Sequence, residues 1–100
     1  MNGGDYERKL YRIRQQIDKV DDAIYDMIAT RMYLISDVGE LKKKYGVIEM
    51  SQERREEILL RLRTACIKDR MPVSTVIKIF EQLIDASVLT QEIIFNDKMK

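Results

Sequence analysis

Residues 10–45 have the sequence LYRIRQQIDKVDDAIYDMIATRMYLISDVGELKKKY, and the periodicity of this stretch decides the fold. Positions spaced alternately by three and four along it are apolar with one exception: Leu10, Ile13, Ile17, Val20, Ile24, Met27, Arg31, Leu34, Val38, Leu41 and Tyr45. This spacing places one line of side chains, here called the apolar stripe, along an amphipathic α-helix, as in a coiled coil. We therefore predict one helix from about Tyr6 to Tyr45, ended by Gly46.

The rest of the chain predicts two shorter helices. After a link over residues 47–50, Ser51 is a good N-cap for a helix that ends near Asp69. A turn over residues 71–74 contains Pro72 and leads into a third helix, whose apolar positions continue to Ile94. Since no stretch has the alternation or the turn pairs of a β-hairpin, the predicted fold class is all-α. Residues 6–98 are predicted to form a single domain after a flexible N-terminus over residues 1–5.

The length of the first helix predicts a dimer. At 1.5 Å per residue it is ~60 Å long, whereas a compact domain of this size has a radius of gyration of only ~13 Å. The two shorter helices cannot cover a rod of that length, so its apolar stripe needs a second copy of the chain. We predict an intertwined homodimer in which the first helices pack on one another. The alternative is a bent or broken first helix in a monomeric three-helix bundle.

The composition excludes several classes of function. With 18 Lys+Arg against 17 Asp+Glu the net charge is +1, which disfavours a nucleic-acid partner held by bulk basicity. The absence of His excludes Ser-His-Asp triads and histidine metal sites, and a single Cys excludes an intrachain disulfide and CxxC sites. No apolar run or signal-peptide pattern predicts a membrane segment or export, so a cytoplasmic location is expected. Any chemistry must therefore depend on Arg, Lys, carboxylates and hydrogen bonds.

Several polar residues interrupt the apolar faces. Arg31 lies on the apolar stripe, and Lys42, eleven residues later, returns to within ~20° of the same helix face. Arg14 flanks the stripe near the start of the helix, from where it could complete a site in a second copy. Ser87 and Gln91 form an i, i+4 pair within the apolar face of the third helix. Jointly these residues predict a pocket for a small dianion, since buried charges need partners.

Each of these residues has a common structural explanation when taken alone. Arg31 could pair with Glu81 or Asp85 on the third helix, and Lys42 begins a run of three lysines that is typical of a solvated face. The serine–glutamine pair could be a buried hydrogen-bond network. Arg54 lies at the edge of the second helix's apolar face, near an N-terminus that favours anions, but its mixed-charge segment is typical of plain surface.

The same residues also form a pattern of motifs in a fixed order. The motifs are Arg14-x-x-Ile17-Asp18-x-x-Asp21, Arg31, Val38-Gly39-x-x-Lys42, Arg54 and Ser87-Val88-Leu89-Thr90-Gln91. Over about residues 10–91, without gaps, this pattern resembles the all-helical class of chorismate mutases. The resemblance implies a three-helix protomer, an intertwined dimer with two active sites, and the Claisen rearrangement of chorismate to prephenate on the route to phenylalanine and tyrosine. It implies no cofactor and no metal.

The resemblance also implies a role for each site residue. Arg31 and Ser87 would hold the ring carboxylate, and Arg14 of the partner subunit and Lys42 would hold the enolpyruvyl carboxylate. Lys42 and Gln91 would donate hydrogen bonds to the ether oxygen. The predicted catalytic residues are therefore Lys42, Gln91 and Arg31, and the predicted substrate-binding residues are Arg14 from the partner, Arg31, Lys42, Ser51, Arg54, Arg55, Ser87 and Gln91.

The chain departs from the family pattern at the start of the second helix. Arg55 stands where the family usually has a Glu that contacts the C4 hydroxyl of chorismate, and Ser51 stands where it usually has Asp. A one-residue slip would place Arg55 and Glu56 in the usual Arg-Glu positions. It would also rotate the apolar residues of this helix by ~100° off their face, so we prefer the ungapped alignment.

Three other functions remain as alternatives. An isochorismate pyruvate-lyase resembles the same cationic set and also lacks the Glu, and it would release salicylate and pyruvate. A relative acting on 4-amino-4-deoxychorismate is disfavoured, because Arg55 would repel a C4 ammonium. A non-catalytic helical dimerisation module would use the apolar stripe alone, but the charged interruptions of the stripe would then only cost stability.

Overall fold

The computed structural model describes residues 2–47, 49 and 51–97 and contains three α-helices: α1 (Asn2–Tyr45), α2 (Gln52–Asp69) and α3 (Val73–Asn96). No strand occurs in this part of the chain, so the all-α prediction is confirmed. Helix α1 begins earlier than its predicted start near Tyr6, so residues 2–5, predicted as a flexible N-terminus, are helical. Met1, Ile48 and Met50 of the predicted N-terminus and link, and residue 98 at the predicted end of the domain, lie outside the described residues.

The helix ends follow the local chemistry of the sequence. Gly46, with a φ of +69°, ends α1 as predicted, since glycine adopts this left-handed conformation at little cost. Ser51 caps α2, and its side-chain oxygen accepts a hydrogen bond from the backbone N–H of Arg54 at 3.0 Å. The left-handed Arg70, with a φ of 57°, ends α2, and Pro72 precedes the first residue of α3.

The chain divides into two units, and the first runs up to Leu34. In this unit the apolar residues of the stripe from Ile13 onward are exposed: Ile13, Ile17, Val20, Ile24, Met27 and Leu34. Water in contact with such a row of large apolar side chains is unfavourable, at ~25 cal/mol for each Å² of apolar surface. An exposed row of apolar side chains of this kind is typical of a surface that binds another protein.

The second unit runs from Ile35 and contains the last turns of α1 together with α2 and α3. Helices α2 and α3 pack on each other around the buried side chains of Ile58, Cys66, Ile77 and Ile84. Burial of each isoleucine contributes ~1.5–3 kcal/mol to folding. This core fixes α3 against α2. The buried polar residues Ser87 and Gln91 lie in the C-terminal half of α3.

Gly39 allows the last turns of α1 to approach α3 closely. It is buried, and a Cβ atom at this position would lie 2.9 Å from Cδ1 of Ile94 and 3.5 Å from Cα of Gln91. A methyl group here would force the Ile94 side chain to shift, because its Cδ1 would lie closer than ordinary van der Waals contact. Lys43 adds a hydrogen bond from its ammonium to the backbone carbonyl of Asp97. The interior glycine of α1 therefore marks close helix packing.

Candidate functional site

The centre of the candidate site is a contact between α1 and α3. The ammonium nitrogen of Lys42 lies 2.8 Å from the amide oxygen Oε1 of Gln91 and 3.0 Å from the backbone carbonyl oxygen of Glu49. Lys42 is half-buried and Gln91 is buried. Gly39 lies one turn before Lys42, so its close packing on α3 is what brings the two side chains within hydrogen-bonding distance. The structure thus brings together two residues that the sequence predicted to act on the same atom.

Ser87 and Gln91 bury polar groups on the apolar face of α3. Their exposed fractions are only 5% and 8%. Ser87 Oγ donates to the carbonyl of Leu83 at 2.7 Å, and Gln91 Nε2 donates to the carbonyl of Ser87 at 3.2 Å. In the described part of the chain, every buried side-chain nitrogen or oxygen has a hydrogen-bond partner. These local bonds satisfy both groups without a ligand, and both can be exchanged for bonds to one.

Arg54 lies at the first turn of α2 and points into solvent. Its side chain is 57% exposed, and its guanidinium pairs with Glu57 on the same helix at 2.6 Å. The structure therefore does not bring Arg54 into contact with Lys42, Ser87 or Gln91. Because an exposed pair of this kind contributes ~0–1 kcal/mol, Glu57 competes only weakly with any other anion for this guanidinium.

Arg55, in contrast, faces α3. Its side chain is 28% exposed, and its guanidinium lies 3.3 Å from Asp85 Oδ1 and 3.7 Å from a carboxylate oxygen of Glu81. Arg55 precedes the buried Ile58 by three residues, which puts both on one face of α2. Sequence reasoning considered Glu81 and Asp85 only as partners of Arg31. Because Glu81 and Asp85 are four residues apart on one helix, their carboxylates lie on the same face, which indicates that one basic side chain could bind both.

Arg14 and Arg31 lie on α1 in the first unit of the chain. Arg14 is exposed and Arg31 is half-buried. Their predicted convergence with Lys42 stays a prediction, as do the substrate contacts predicted for Ser51, Arg54 and Arg55. The backbone carbonyl of Glu49, which accepts a hydrogen bond from Lys42, was not predicted from the sequence. A main-chain acceptor does not depend on the type of side chain, so the sequence pattern does not indicate it.

The described part of the chain has neither a helix suited to a membrane nor a cluster of metal-binding side chains. None of its helices combines the length and the apolar composition needed to cross a membrane. It also contains no group of three or more Cys, Asp or Glu side chains arranged to hold a metal ion. The side chains described above offer an ammonium, guanidinium groups, an amide and a hydroxyl.

Comparisons with known proteins point to one family. The sequence profile of the family described as chorismate mutase type II matches residues 13–92. The chain is 36% identical to a chorismate mutase of Methanocaldococcus jannaschii over 84 residues, which cover 84% of this chain and 85% of that protein. No solved structure matches the chain significantly.

Two further relatives are much longer than the matched part. The chain is 41% identical over 51 residues to the T-protein of Enterobacter agglomerans, covering 51% of this chain and 14% of that protein. It is 28% identical over 87 residues to a bifunctional chorismate mutase/prephenate dehydratase of Buchnera aphidicola, covering 87% of this chain and 23% of that protein. The profile and the Methanocaldococcus protein both span most of the chain and confirm the resemblance drawn from its motifs. The chain therefore belongs to the chorismate mutase type II family.

Proposed function

We propose that the chain rearranges chorismate to prephenate in a cationic site that two copies of the chain share. The chain is a chorismate mutase, an isomerase of aromatic amino acid biosynthesis, by its family and its relatives. The observation that carries the proposed site is the half-buried ammonium of Lys42 held 2.8 Å from the buried amide of Gln91. Both groups can present hydrogen-bond donors to one substrate oxygen.

The reaction fits a site built from these groups. In this rearrangement the ether C–O bond breaks while a C–C bond forms within the same molecule, so no nucleophile and no proton transfer are needed. A rate acceleration of ~10⁶ requires ~8 kcal/mol. Holding the flexible substrate in its reactive conformer can supply several kcal/mol. One donor placed where negative charge develops on the ether oxygen is worth ~3–4 kcal/mol more.

Lys42 and Gln91 exchange their present hydrogen bonds for bonds to the substrate. In the structure both acceptors of Lys42 are neutral oxygens, those of Gln91 and Glu49. A carboxylate is a stronger acceptor for an ammonium because the bond is then charge-assisted on both sides. In this proposal Lys42 donates to the enolpyruvyl carboxylate and to the ether oxygen, and the amide of Gln91 turns to donate from Nε2 to the same ether oxygen.

The remaining contacts follow the family motifs. Arg31 and Ser87 hold the ring carboxylate, and Arg14 of the partner subunit helps Lys42 to hold the enolpyruvyl carboxylate. Arg54 adds positive potential at the mouth of the site, which its weak pair with Glu57 allows. Ser51 shapes the start of α2, since its side chain accepts the hydrogen bond that begins the helix.

The dimer is proposed from the exposed apolar stripe of α1. Six large apolar side chains of the stripe from Ile13 to Leu34 are exposed in the single chain. Two copies that pair along this stripe bury the same row from both sides, as a symmetric interface requires. Such pairing also gives Arg14 of one copy access to the site of the other. The expected cytoplasmic location stays a prediction.

One assay tests the proposed function against its alternatives. Purified protein is incubated with chorismate and, separately, with isochorismate, while prephenate, salicylate and pyruvate are quantified. We expect prephenate from chorismate. Arg55 in place of the usual Glu favours the lyase as the second candidate, and pyruvate and salicylate from isochorismate alone would establish it. If the protein converts neither substrate, both enzymatic reactions are contradicted. The non-catalytic dimerisation module would then be the remaining alternative.

A further inference from the structure

We propose that Arg55 is a positioning residue, whose guanidinium fastens the first turn of α2 to α3 through Glu81 and Asp85 and so holds Ser51 and Arg54 at the site. The inference rests on the proposed function, since the positioned turn is the part of α2 that meets the substrate there. It gives Arg55 a role different from the direct substrate contact predicted from the sequence.

The geometry of the cluster is that of one cation shared by two helices. Arg55 lies in the first turn of α2, while Glu81 and Asp85 lie one turn apart on α3. The guanidinium is 3.3 Å from Asp85 and 3.7 Å from Glu81, so one side chain bridges both carboxylates. With five donors in a planar fork, an arginine can hold two carboxylates at once, which a lysine does less well.

The cluster extends the contact of α2 with α3 to the beginning of α2. The buried Ile58 and Cys66 hold the middle and the end of this helix on α3. Arg55 lies on the same face one turn before Ile58, and its side chain is half as exposed as that of the neighbouring Arg54 (28% against 57%). The ion pairs are thus the anchor nearest to the N-terminus of α2.

Hydrogen bonds in the first turn of α2 connect Arg55 and Arg54 to Ser51. The backbone N–H of Arg55 donates to the carbonyl of Ser51 at 3.3 Å, and that of Arg54 donates to the Ser51 hydroxyl at 3.0 Å. These bonds join the three residues into one closed helical turn. When the Arg55 side chain is fixed on α3, the backbone of Ser51 and Arg54 is fixed with it.

The charge of the cluster disfavours a direct contact of Arg55 with a dianionic substrate. One guanidinium with two carboxylates carries a net negative charge, so the cluster as a whole repels an anion. A substrate carboxylate would have to compete with Asp85 and Glu81 for the guanidinium. Arg55 therefore acts on the reaction through the position of α2 and not by touching the substrate.

The experiment separates positioning from substrate contact by removing the two carboxylates. We would measure kcat and KM for chorismate, and the melting temperature, in wild type, Arg55→Ala, the double variant E81A/D85A and the triple variant that combines them. Arg63→Ala, an exposed arginine on the same helix, is the matched control. All assays are run well below the melting temperature of each variant, and helicity is checked by circular dichroism.

Positioning predicts that R55A and E81A/D85A each raise KM by about three- to fivefold with kcat within about twofold, as expected for a partly exposed ion-pair cluster. The triple variant should be no worse than R55A, since the three side chains act as a unit. Arg63→Ala should behave as wild type. Arg55→Lys, which keeps a charge but not the fork, should have an intermediate KM.

Four results would overturn the inference. If E81A/D85A lowers KM or leaves it unchanged while R55A raises it, Arg55 contacts the substrate directly. If all variants lower only the melting temperature, the cluster serves stability alone. A wild-type protein that forms no prephenate would overturn the proposed function and this inference with it, whereas an active wild type with unaffected variants overturns the inference alone. Should R55A fail to fold, the comparison of E81A/D85A with wild type decides in the same way.

Discussion

Lys42 Nζ and Gln91 Oε1 lie 2.8 Å apart although 49 residues separate them in the chain. The contact depends on Gly39, which lets the end of α1 lie against Gln91 and Ile94 of α3. It joins a cationic donor to an amide on an otherwise apolar helix face. Such a pair is suited to a reaction in which negative charge appears on a single oxygen within a water-poor site.

Removal of the Lys42 ammonium should abolish most of the activity. We expect Lys42→Ala to lower kcat/KM for chorismate by about 10²–10³-fold, the usual loss when a donor to a developing oxyanion is removed. Lys44→Ala is the matched control, because Lys44 is an exposed lysine of the same run and lies 5.8 Å from the ring centroid of Tyr45. It should retain wild-type kinetics. Equal effects of the two substitutions would contradict the assigned role of Lys42.

A methyl group at Gly39 should disturb the packing of α1 against α3 at Ile94. We expect Gly39→Ala to lower the free energy of unfolding by about 1–3 kcal/mol and to reduce kcat, since its Cβ would lie 2.9 Å from Cδ1 of Ile94. Chemical denaturation and steady-state kinetics measure the two effects. Gly3→Ala, with no neighbour within 4 Å of the added carbon, should not destabilise the protein.

The second-site variant Ile94→Val tests whether the packing of Gly39 causes these effects. Valine lacks the Cδ1 atom that the new methyl group would meet, so Gly39→Ala combined with Ile94→Val should recover much of the lost stability and kcat. An unchanged defect in the combined variant would show that the contact with Ile94 Cδ1 is not the cause of these effects.

The sequence predicted the helices because their determinants are local. The three-and-four spacing, Gly46 and the Ser51 cap each act within a few residues, and the structure has helix ends at or near these points. The early start of α1 was missed because Gly3 and Gly4 have low helix propensity. For Gly39, inside the helix pattern of α1, the sequence suggests either close packing or simple tolerance, and the structure shows close packing against Ile94 and Gln91.

The candidate site was less predictable where the contacts of a side chain depend on how two helices pack on each other. Arg54 and Arg55 both lie beside the apolar face of α2, and only the seating of α2 on α3 determines that Arg55 faces Asp85 while Arg54 is exposed. The acceptor at Glu49 is a backbone carbonyl and is invisible to side-chain patterns. Lys42 and Gln91 were predictable because their helical registers place them against apolar neighbours.

A charge on the apolar stripe should dissociate the proposed dimer. We expect Ile24→Glu to convert the protein to a monomer in light scattering and to abolish prephenate formation, because it would bury a carboxylate at the interface. Tyr25→Glu is the matched control, since it adds the same charge at the adjacent, exposed position off the stripe. A dimeric Ile24→Glu variant, or a monomeric wild type, would contradict pairing along this stripe.

Complementation between two inactive variants tests most directly whether the site is shared. Arg14→Ala and Lys42→Ala are each prepared, mixed in equal amounts, unfolded and refolded together, and assayed for prephenate formation. If Arg14 acts in the partner's site, each mixed dimer contains one intact site, and the mixture should regain about a quarter of wild-type activity. Activity no higher than that of the separate variants, with mixed dimers present, would contradict a site built from two copies.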